Sequence, residues 1–512
     1  MLGNIIFALR HLRASADIWK TSTYTTSVAA LRYLTARQYH VPFFGWYSPP
    51  LAQMLAVGAM VLFFTVLTWA VRPYYWWNVL INTCPPLANR TGWISLAMLP
   101  FVMVFASKVN FITILTGTSH EKLQVFHRWS AWIMWVLALI HTIILIREAI
   151  KRGTMLSEWK AGPWYWTGVA ALIPQTWLVV MSIGPIRNAY YETFKKLHFV
   201  AVGIFFPFLW VHCNFRQTSW WFIYAALGAW FVTWIVRVGR AIFLNGVNHR
   251  ASIEAHSCNL IKIVIPTPSK VQWKPGEHYF IRFFGTGIHC LSSHPFTIAS
   301  LATGEKSSLE AWIRVHEGIT KRLQRKSLER NVTVPVVLDG PYGGLKGSLH
   351  VYDKVLLLAG GSGITFIMPI LVDILSREKR ASNTVQLVWA VASLDDFVMF
   401  EDTYARVQPS INNGSLTISC FVTRETFTPD TATTKDEQDK IPHDMETVIG
   451  RPDLKQLVFN FCSGSGTVGM TTCGPTAFTM DVNNAAATVQ LDIARGRSKC
   501  TELYLHTEAY SW

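Results

Sequence analysis

Six long apolar segments in the first half of the chain constrain its fold more than any other feature of the sequence. They lie at about residues 51–71, 92–109, 127–146, 163–183, 197–215 and 219–239. Each approaches the roughly 20 residues that a helix needs to cross a bilayer. The composition agrees, because only 15% of the 512 residues are charged, whereas a soluble domain has about 25%. The sequence therefore predicts an integral, multi-pass membrane protein with a bundle of six spanning helices.

The charged residues are distributed unevenly along the chain. Residues 1–250 carry 21 Lys and Arg against five Asp and Glu, so the net charge of +15 belongs to the first half. A nucleic-acid-binding protein carries its basic residues on a folded polar surface, but here they flank apolar runs, and nucleic-acid binding is disfavoured. The basic loops instead indicate orientation in the membrane, with both termini in the cytosol. The eight cysteines form no CxxC pair and have no regular spacing, which argues against a disulfide scaffold or a zinc cluster.

After residue 240 the sequence changes to the pattern of folded, water-exposed domains. Short alternating runs such as HYFIRF (278–283), separated by Gly and Pro, are typical of an antiparallel barrel. From about residue 354, an apolar strand, a Gly-rich turn, a helix and a second buried strand follow, which indicates a parallel α/β sheet. We interpret the polar, acidic residues 425–448 as a mobile surface insertion. The predicted units are an N-terminal arm (1–50), a membrane domain (51–240), a barrel (246–348) and an α/β domain (350–512).

Four of the 16 histidines lie inside predicted spans: His127 and His141 on the third, and His198 and His212 on the fifth. Each pair is separated by 14 residues, so both imidazoles share a helix face and lie about 21 Å apart along the axis. The third and fifth helices run in the same direction, so His127 can face His198 and His141 can face His212. Two bis-imidazole sites stacked across a membrane are what two b-type haems need. An isolated histidine in a membrane helix is often no more than a helix–helix hydrogen bond.

Five short motifs follow in the second half, and each alone is a weak signal. They are His294-Pro295-Phe296-Thr297, Gly318-Ile319-Thr320, Asp339-Gly340-Pro341-Tyr342-Gly343, Gly360-Gly361-Ser362-Gly363-Ile364-Thr365 and Cys473-Gly474-Pro475. A glycine and a hydroxyl beside a helix start can hold a pyrophosphate, and a Gly-rich turn that opens a helix suits a dinucleotide phosphate. The alternatives are a proline turn at a strand edge, ordinary turn sequences and a small buried cysteine.

The order of these features resembles the ferric reductase/NADPH oxidase superfamily, and within it the fungal-type ferric/cupric reductases. The resemblance rests on the four-histidine bundle, HPFT, GPYG, GGSGIT, CGP and a C-terminal aromatic residue, and it covers about residues 51–512. It implies a membrane α-helical bundle of six spans with two b haems. A cytosolic module similar to ferredoxin–NADP reductase follows, made of an antiparallel β-barrel FAD domain and an α/β NAD(P)H domain. The implied cofactors are two haem b, FAD and NADPH.

The resemblance also implies roles for individual residues. HPFT is expected to lie against the flavin, and Cys473 near the nicotinamide. Trp512 is expected to cover the isoalloxazine until the nicotinamide displaces it. The expected catalytic residues are Cys473, Glu508 and Trp512. The expected cofactor-binding residues are His294, Pro295, Phe296, Thr297, Gly318, Thr320, Gly340, Pro341, Tyr342, Gly343, Gly360, Gly361, Ser362, Gly363, Ile364, Thr365, Arg451, Cys473, Gly474 and Pro475. The expected metal ligands are His127, His141, His198 and His212.

The implied function is electron transfer from cytosolic NADPH, through FAD and two haems, to an acceptor outside the cytosol. We expect a ferric-chelate reductase in the plasma membrane, surrounded by lipid. It would reduce Fe(III) chelates or siderophores, with Cu(II) as a further metal acceptor, and support metal uptake. The nearest alternative is a superoxide-generating NADPH oxidase, but the equal 14-residue spacings and the terminal Trp512 favour a metalloreductase. A further alternative is a transporter or a structural haem subunit without turnover. In such a protein the five ordered motifs would have no function, which argues against this alternative.

Two features depart from the family pattern. Residues 389–393, after the strand VQLVWAV, contain no Arg to hold the adenosine 2′-phosphate. We expect Arg451 to take that role, with NADPH preferred over NADH. The second departure is at the N-terminus, where some fungal relatives have an additional hydrophobic segment that this sequence lacks.

Overall fold

The computed structural model of the chain describes residues 22–76, 84–256, 259–302, 306–329, 332–345, 347–377, 384–424 and 445–509. The chain divides into two compact units. Of the described residues, 53–237 form a helical unit, and 22–52 join those from 238 onward in the other. Trp512, the expected flavin-covering residue, lies outside the described residues, as do residues 425–444 of the expected surface insertion.

The first described elements are a helix and a small hairpin that belong to the second unit. They are α1 (Ser22–Ala36), β1 (His40–Val41) and β2 (Trp46–Tyr47). The guanidinium of Arg32 donates to the Leu503 carbonyl at 2.7 Å and to Glu502 Oε1 at 3.0 Å, and it lies over the ring of Tyr504. The described part of the expected N-terminal arm is therefore packed on the α/β domain and is not a separate segment.

The helical unit follows the predicted pattern of apolar segments. Its elements are α2 (Leu51–Trp69), α3 (Pro86–Ala106), α4 (Phe111–Thr116), α5 (His120–Lys151), α6 (Met155–Ala161), α7 (Pro163–Val180), α8 (Gly184–Ala189), α9 (Tyr191–Cys213) and α10 (Ser219–Gly239). Among the described residues, five helices are long and apolar enough to cross a membrane: α2, α3, α5, α9 and α10. The fourth predicted span, α7, is also a helix. It is not among these five, and Pro174, Gln175 and three Trp residues interrupt its aliphatic run.

Polar side chains tie the helices of this unit together. Ser95 Oγ on α3 donates to the Met134 carbonyl on α5 at 2.8 Å, and Trp135 Nε1 on α5 donates to Thr176 Oγ1 on α7 at 2.9 Å. The core around them consists of Met98, Leu99, Val102, Met134, Ala171, Phe205, Cys213, Ile223 and Ala226. Close packing and interhelical hydrogen bonds are the forces that hold helices together in lipid, so these contacts fix α5 against α3 and α7.

A π-helical turn (Arg240–Asn245) leads into the predicted antiparallel barrel. The barrel consists of β3 (His249–His256), β4 (Leu260–Pro268), β5 (Glu277–Phe283), β6 (His294–Thr297), β7 (Lys306–Arg314), α11 (Ile319–Ser327) and β8 (Thr333–Gly343). The strand order is β6-β5-β8-β3-β4-β7, with antiparallel neighbours. The amide of Ala299, just after β6, donates to the Glu310 carbonyl on β7 at 2.8 Å, which closes the sheet. Alternate residues Ile261, Ile263 and Ile265 of β4 fill the interior.

The last part of the chain forms the predicted parallel α/β domain. Its elements are β9 (Lys354–Gly360), α12 (Ile364–Leu375), β10 (Thr384–Val391), α13 (Glu401–Asn412), β11 (Leu416–Val422), β12 (Glu446–Ile449), α14 (Leu454–Cys462), β13 (Gly466–Gly474), α15 (Thr476–Ala494) and β14 (Cys500–Ala509). All neighbours in the order β12-β11-β10-β9-β13-β14 are parallel. Leu356, Leu357 and Leu358 are fully buried, because helices cover both faces of the sheet.

Two local expectations differ from the structure. The Asp339–Gly343 sequence, which taken alone has an ordinary turn as its alternative interpretation, continues strand β8 and pairs with β5, with a register irregularity between His278 and Phe280. Residues 446–448, placed in the expected surface insertion, belong to edge strand β12, which pairs with β11. In both cases pairing with a distant strand decides the conformation, and such pairing leaves no local signal in the sequence.

Candidate functional site

The four membrane histidines lie on two helices and form two facing pairs. The ring centres of His127 on α5 and His198 on α9 are 6.5 Å apart, and those of His141 and His212 are 6.1 Å apart. This is the pairing that the 14-residue spacing predicts. Two imidazoles on one metal ion, each with a metal–nitrogen bond of about 2 Å, place their ring centres about 6 Å apart.

Backbone carbonyls hold three of these imidazoles by the nitrogen nearer the main chain. Nδ1 of His127 contacts the Val102 carbonyl at 3.0 Å, and Nδ1 of His141 contacts that of Ala88 at 2.7 Å. His212 makes the same contact with the Trp164 carbonyl at 2.6 Å. A carbonyl only accepts, so each Nδ1 carries the proton and each Nε2 keeps its lone pair. Histidines that bind metal are oriented in this manner by a second hydrogen bond.

Two glycines provide the space for the second histidine pair. A Cβ atom on Gly92 would lie 2.7 Å from His141 Nδ1, and one on Gly168 would lie 2.6 Å from His212 Nδ1. Both distances are too short for a real Cβ contact. Our sequence reasoning missed these glycines, although each lies four residues after the carbonyl that its histidine contacts.

A cavity of about 450 Å³ adjoins His141 and His212. Its lining includes Gly92 and Gly168 together with charged side chains of both signs. The charged members are Glu148, Arg152, Glu158 and Arg216. The volume lies in the range of cofactor pockets. The ring spacing, the Nδ1 contacts that leave Nε2 unprotonated, and the adjacent cavity all fit a haem between His141 and His212. His198 Nδ1 is buried and has no hydrogen-bond partner among the residues the structure describes.

The HPFT and GPYG motifs lie on β6 and β8, the two strands that flank β5 in the barrel sheet. On β5, Tyr279 pairs with Phe296 of β6, and His278 pairs with Tyr342 of β8. The rings of His278 and Tyr342 stack at 6.0 Å. Gly343 has a φ of 72°, and a Cβ atom there would lie 2.9 Å from His278 Nδ1. Thr297 of HPFT also pairs with His278, so Thr297 and Tyr342 share one face with the His278 ring, whereas Phe296 packs against the barrel core. That face combines aromatic rings with close backbone, which suits a flat ring system such as flavin.

Arg240 and Asn245, which our sequence reasoning missed, hold the GPYG strand from the π-helical turn. The guanidinium of Arg240 lies 4.4 Å from the centre of the Tyr342 ring and 3.5 Å from Asp339 Oδ1. Asp339 Oδ1 also accepts a 2.7 Å hydrogen bond from the Tyr342 hydroxyl. Asn245 Nδ2 donates to the carbonyls of Leu338 and Gly340. These contacts join residues about 100 positions apart, so local sequence patterns do not reveal them.

The Gly318–Thr320 stretch forms a helix start, as predicted. Gly318 has a φ of 76° and precedes α11, which begins at Ile319. Thr320 Oγ1 accepts from the His316 amide at 2.8 Å and contacts the His316 carbonyl at 2.9 Å. The hydroxyl thus closes its own turn, and a pyrophosphate at this position would meet the α11 N-terminus.

The two glycine-containing turns of the α/β domain meet at the carboxyl edge of the sheet. Gly360 ends β9 and Gly474 ends β13. A Cβ atom on Gly360 would lie 2.9 Å from Pro475 Cδ, and one on Gly474 would lie 3.1 Å from Gly360 Cα, so glycine at both positions favours this close backbone approach. The GGSGIT turn then opens α12 at Ile364, and Trp389 Nε1 fixes it by donating to the Gly361 carbonyl at 2.9 Å. Ligands of open α/β sheets bind at this edge.

Cys473 and Glu508 are register partners at the ends of β13 and β14. Burial and the neighbouring Glu508 carboxylate raise the pKa of the Cys473 thiol well above its ordinary value. Glu508 Oε2 lies 3.3 Å from His506 Nε2, and the His506 ring stacks on Phe366. A Cβ atom on Gly343 would lie 3.9 Å from Glu508 Oε1, which places this cluster beside the GPYG strand.

The expected 2′-phosphate residue, Arg451, is exposed and follows edge strand β12. Arg424, which our sequence reasoning missed, is also exposed and lies nearer to the end of β10, since its amide donates to the Ala392 carbonyl at 3.3 Å. Both arginines therefore lie at the carboxyl edge of the sheet. The signal that could have revealed Arg424 is its position just after a buried strand.

Three models of known protein families match successive parts of the chain. The ferric reductase like transmembrane component matches residues 91–209, an FAD-binding domain matches 245–346, and a ferric reductase NAD binding domain matches 352–487. The fold and the site thus define a transmembrane protein with FAD-binding and NAD-binding domains. The chain is therefore similar to ferric reductases in three successive regions, which match the membrane component, the FAD-binding domain and the NAD-binding domain in that order.

Curated relatives are fungal reductases. The chain is 30% identical over 378 residues to the probable cell surface ferric reductase kap2 of Aspergillus oryzae, covering 69% of this chain and 50% of that protein. It is 24% identical over an alignment of 556 residues to the ferric/cupric reductase transmembrane component 7 of Saccharomyces cerevisiae, covering 95% and 85%. The chain thus spans about half the length of the first relative and most of the second.

Proposed function

We propose that the chain carries electrons from NADPH across a membrane to a metal acceptor, as a ferric-chelate reductase. The observation that carries this proposal is the pair of facing imidazole couples in a helical unit, on a chain that also has FAD-binding and NAD-binding domains. The acceptors are Fe(III) chelates or siderophores, with Cu(II) as a further metal. The relatives named ferric and ferric/cupric reductases support this choice.

The plasma membrane is the proposed location, with both termini, the barrel and the α/β domain in the cytosol. The basic residues around the predicted spans support this orientation, and one relative is named a cell surface reductase. In this arrangement His127 and His198 form the inner couple, and His141 and His212 form the outer couple.

When bound, FAD would convert a hydride into single electrons and the haems would carry those electrons between the histidine couples. The residues of the chain bind, orient and shield. Nε2 atoms of the four histidines are the proposed iron ligands, and the carbonyls of Val102, Ala88 and Trp164 fix three of the rings. Rings that are fixed before the metal binds need no rearrangement when the charge of the site changes.

At the other end of the proposed path, the strand-end residues would prepare the hydride-transfer site. Because the pKa of Cys473 is raised, its thiol stays protonated and uncharged beside the nicotinamide position. Glu508, paired with His506, adds a carboxylate next to that thiol. The backbone amides at the start of α12 would meet the nucleotide's phosphates.

The test uses purified protein in liposomes, with stopped-flow mixing against NADPH and an Fe(III) chelate. Flavin bleaching, then haem reduction, then chelate reduction is the expected order. In His141→Ala and in His212→Ala we expect loss of the outer haem spectrum with flavin reduction intact. Full two-haem spectra in either variant would contradict the ligand assignment, and failure of NADPH to bleach the flavin would contradict the enzyme activity. Superoxide formation without chelate reduction would instead identify the oxidase alternative.

A further inference from the structure

The strand that carries Glu508 is tied on its opposite face to the N-terminal arm. Thr507 Oγ1 donates to Asn483 Oδ1 at 2.5 Å, and Asn483 Nδ2 donates to Gln38 Oε1 at 2.7 Å. Gln38 Nε2 then donates to the Ser48 carbonyl at 2.9 Å. These four residues form a continuous chain of hydrogen bonds from the segment before α2 to the end of β14, and we call it the Ser48–Thr507 chain.

The Ser48 carbonyl at one end of the Ser48–Thr507 chain determines the direction of every hydrogen bond in it. A carbonyl only accepts, so Gln38 must present its NH₂ group to Ser48 and its oxygen to Asn483. Asn483 must then present its NH₂ group to Gln38, which leaves its oxygen for the Thr507 hydroxyl. Asn483 is 6% exposed and Ser48 is 2% exposed, so water cannot readily replace these partners.

Strand geometry carries this restraint through to Glu508. Successive side chains of a strand point to opposite faces, so Thr507 faces α15 while His506 and Glu508 face the other side. There His506 stacks on Phe366, and Glu508 is the register partner of Cys473. Holding Thr507 therefore fixes the backbone on both sides of it, including the position from which the Glu508 carboxylate approaches the Cys473 thiol.

Further hydrogen bonds attach the N-terminal arm to α15 and β14 and hold its own hairpin together. The amide of Gln38 donates to Asn484 Oδ1 at 3.0 Å, and the amide of Tyr39 donates to Ser48 Oγ at 2.8 Å. Arg32 binds the strand at Glu502 and Leu503, closer to its start. Within the described residues, the arm thus contacts β14 directly near its first residues and is linked to Thr507 through Asn483.

We propose that Asn483 is a positioning residue for Glu508, and that Gln38 of the N-terminal arm orients the Asn483 amide for this task. This inference rests on the proposed function, in which Glu508 works at the hydride-transfer site. It assigns the arm a role in the pyridine-nucleotide reaction, although the arm lies far from Glu508 in the sequence.

The experiment compares Thr507→Val, which removes the hydroxyl at constant shape, with Thr507→Ser, which keeps it. Thr501→Val is the matched control, because Thr501 lies on the same strand and its hydroxyl donates to the Gly466 carbonyl at 3.2 Å. On the full-length protein in liposomes, stopped-flow mixing with NADPH gives the limiting rate of flavin reduction and the apparent Kd. Hydrogen exchange of the peptide covering residues 500–509, without added nucleotide, gives a second readout that does not depend on turnover.

We expect Thr507→Val to slow flavin reduction about tenfold, because small displacements of reacting groups have large effects on rate, with the apparent Kd changed less than about twofold. Exchange at the end of β14 should rise in the same variant. Thr507→Ser and Thr501→Val should behave as wild type, and Gln38→Leu should shift both readouts in the direction of Thr507→Val. If the Thr507→Val protein cannot be purified in folded form, the flavin-reduction rate and the hydrogen exchange of Gln38→Leu test the proposal alone.

Wild-type rate and exchange in both Thr507→Val and Gln38→Leu would overturn the proposal, as would equal losses in Thr507→Val and Thr507→Ser, which would indicate packing alone. A wild-type protein whose flavin NADPH does not reduce would refute the proposed function. The exchange comparison would still decide whether the Ser48–Thr507 chain holds the strand.

Discussion

Gly92 packs directly against the imidazole of His141, and Gly168 packs in the same way against His212. In both cases the glycine lies four residues after the residue whose carbonyl contacts histidine Nδ1: Ala88 precedes Gly92, and Trp164 precedes Gly168. In a helix, the amide at the fourth position bonds that same carbonyl. The imidazole thus shares a carbonyl with the helix ladder, and it reaches the carbonyl because the glycine has no side chain.

Gly92→Ala and Gly168→Ala should each displace one imidazole and so weaken the outer haem site. The added methyl would lie under 3 Å from the ring, and overpacking of this kind typically costs about 1–3 kcal/mol. We expect a loss of haem content and an altered haem spectrum, with flavin reduction by NADPH unchanged. The measurement is the pyridine haemochrome assay beside the flavin content.

Gly203→Ala on α9 is the control for this pair, because nothing lies within 4 Å of a Cβ atom there. It should retain both haems. Retention of full haem content in Gly92→Ala and Gly168→Ala would show that the rings can shift without leaving the metal.

The contact of Arg240 with Tyr342 leads to a prediction for the flavin surface. Arg240→Gln removes the cation over the ring and the ion pair with Asp339. A cation–π contact is worth about 0.5–2 kcal/mol, so the affinity for FAD should fall by about twofold to 30-fold. Measurement of the FAD content after purification, and titration of the FAD-depleted protein by flavin fluorescence, test this.

Arg250→Gln is the appropriate control, because Arg250 lies on β3 of the same barrel and its guanidinium makes an exposed 3.4 Å contact with Thr333 Oγ1. Its FAD affinity should equal that of wild type. If Arg240→Gln and Arg250→Gln bind FAD equally, the Arg240 contacts serve only the fold.

The histidine pairs show which parts of the site can be predicted from sequence. Helix periodicity alone places His127 and His141 on one face, and the shared direction of α5 and α9 pairs them with His198 and His212. The strand–helix turns at Gly360 and Gly474 are likewise local patterns. By contrast, Gly92 matters only because α3 packs beside His141, and that packing depends on residues of both helices. Gly92 could therefore be assigned only from the three-dimensional structure.

Long-range pairing explains the other differences. Asp339–Gly343 has the composition of a turn, yet it continues β8 because β5 offers it backbone partners. The N-terminal arm has no motif of its own, and Gln38 acquires its importance from Asn483, 445 residues away. Contacts of this kind depend on the whole fold, whereas the hydrophobic pattern reports only which face of each element is buried.

The carboxylate of Glu508 should influence the acidity of Cys473. Burial and this carboxylate both raise the pKa of the thiol, because the thiolate would be desolvated and would face a like charge. Glu508→Gln removes the like charge and leaves the burial, so the pKa should fall but remain above that of a free cysteine. At a given alkaline pH, the fraction of thiolate should therefore increase.

The measurement is the rate of iodoacetamide modification of the Cys473 peptide between about pH 7 and pH 10, followed by mass spectrometry. The curve for Glu508→Gln should move to lower pH. Glu502→Gln, on the same strand but paired with Arg32, should leave the curve unchanged. A shift of the Glu508→Gln curve to higher pH would contradict the proposed proximity of the two groups.

The three strand ends that lie side by side at one edge of the sheet bear on the choice between NADPH and NADH. Val391 of β10 pairs with Val422 of β11, and Val422 pairs with Ile449 of β12. Neighbouring strands are about 4.8 Å apart. Arg424 therefore follows the strand next to β10, and Arg451 follows the strand after that.

Both arginines should contribute to the preference for NADPH, with Arg424 contributing more because it is nearer to the end of β10. A charge-assisted hydrogen bond to a phosphate is worth about 1.5–3 kcal/mol, so each removal should raise the KM for NADPH about tenfold and leave that for NADH unchanged. The measurement is kcat/KM for both nucleotides in Arg424→Ala, Arg451→Ala and the double variant. The double variant should show no preference for NADPH.

Arg377→Ala is the control, because the Arg377 guanidinium forms an ion pair at 2.9 Å with Asp373 of α12. Equal effects on NADPH and NADH in Arg424→Ala and Arg451→Ala would show that these side chains contact a part common to both nucleotides, and the 2′-phosphate assignment would then be wrong.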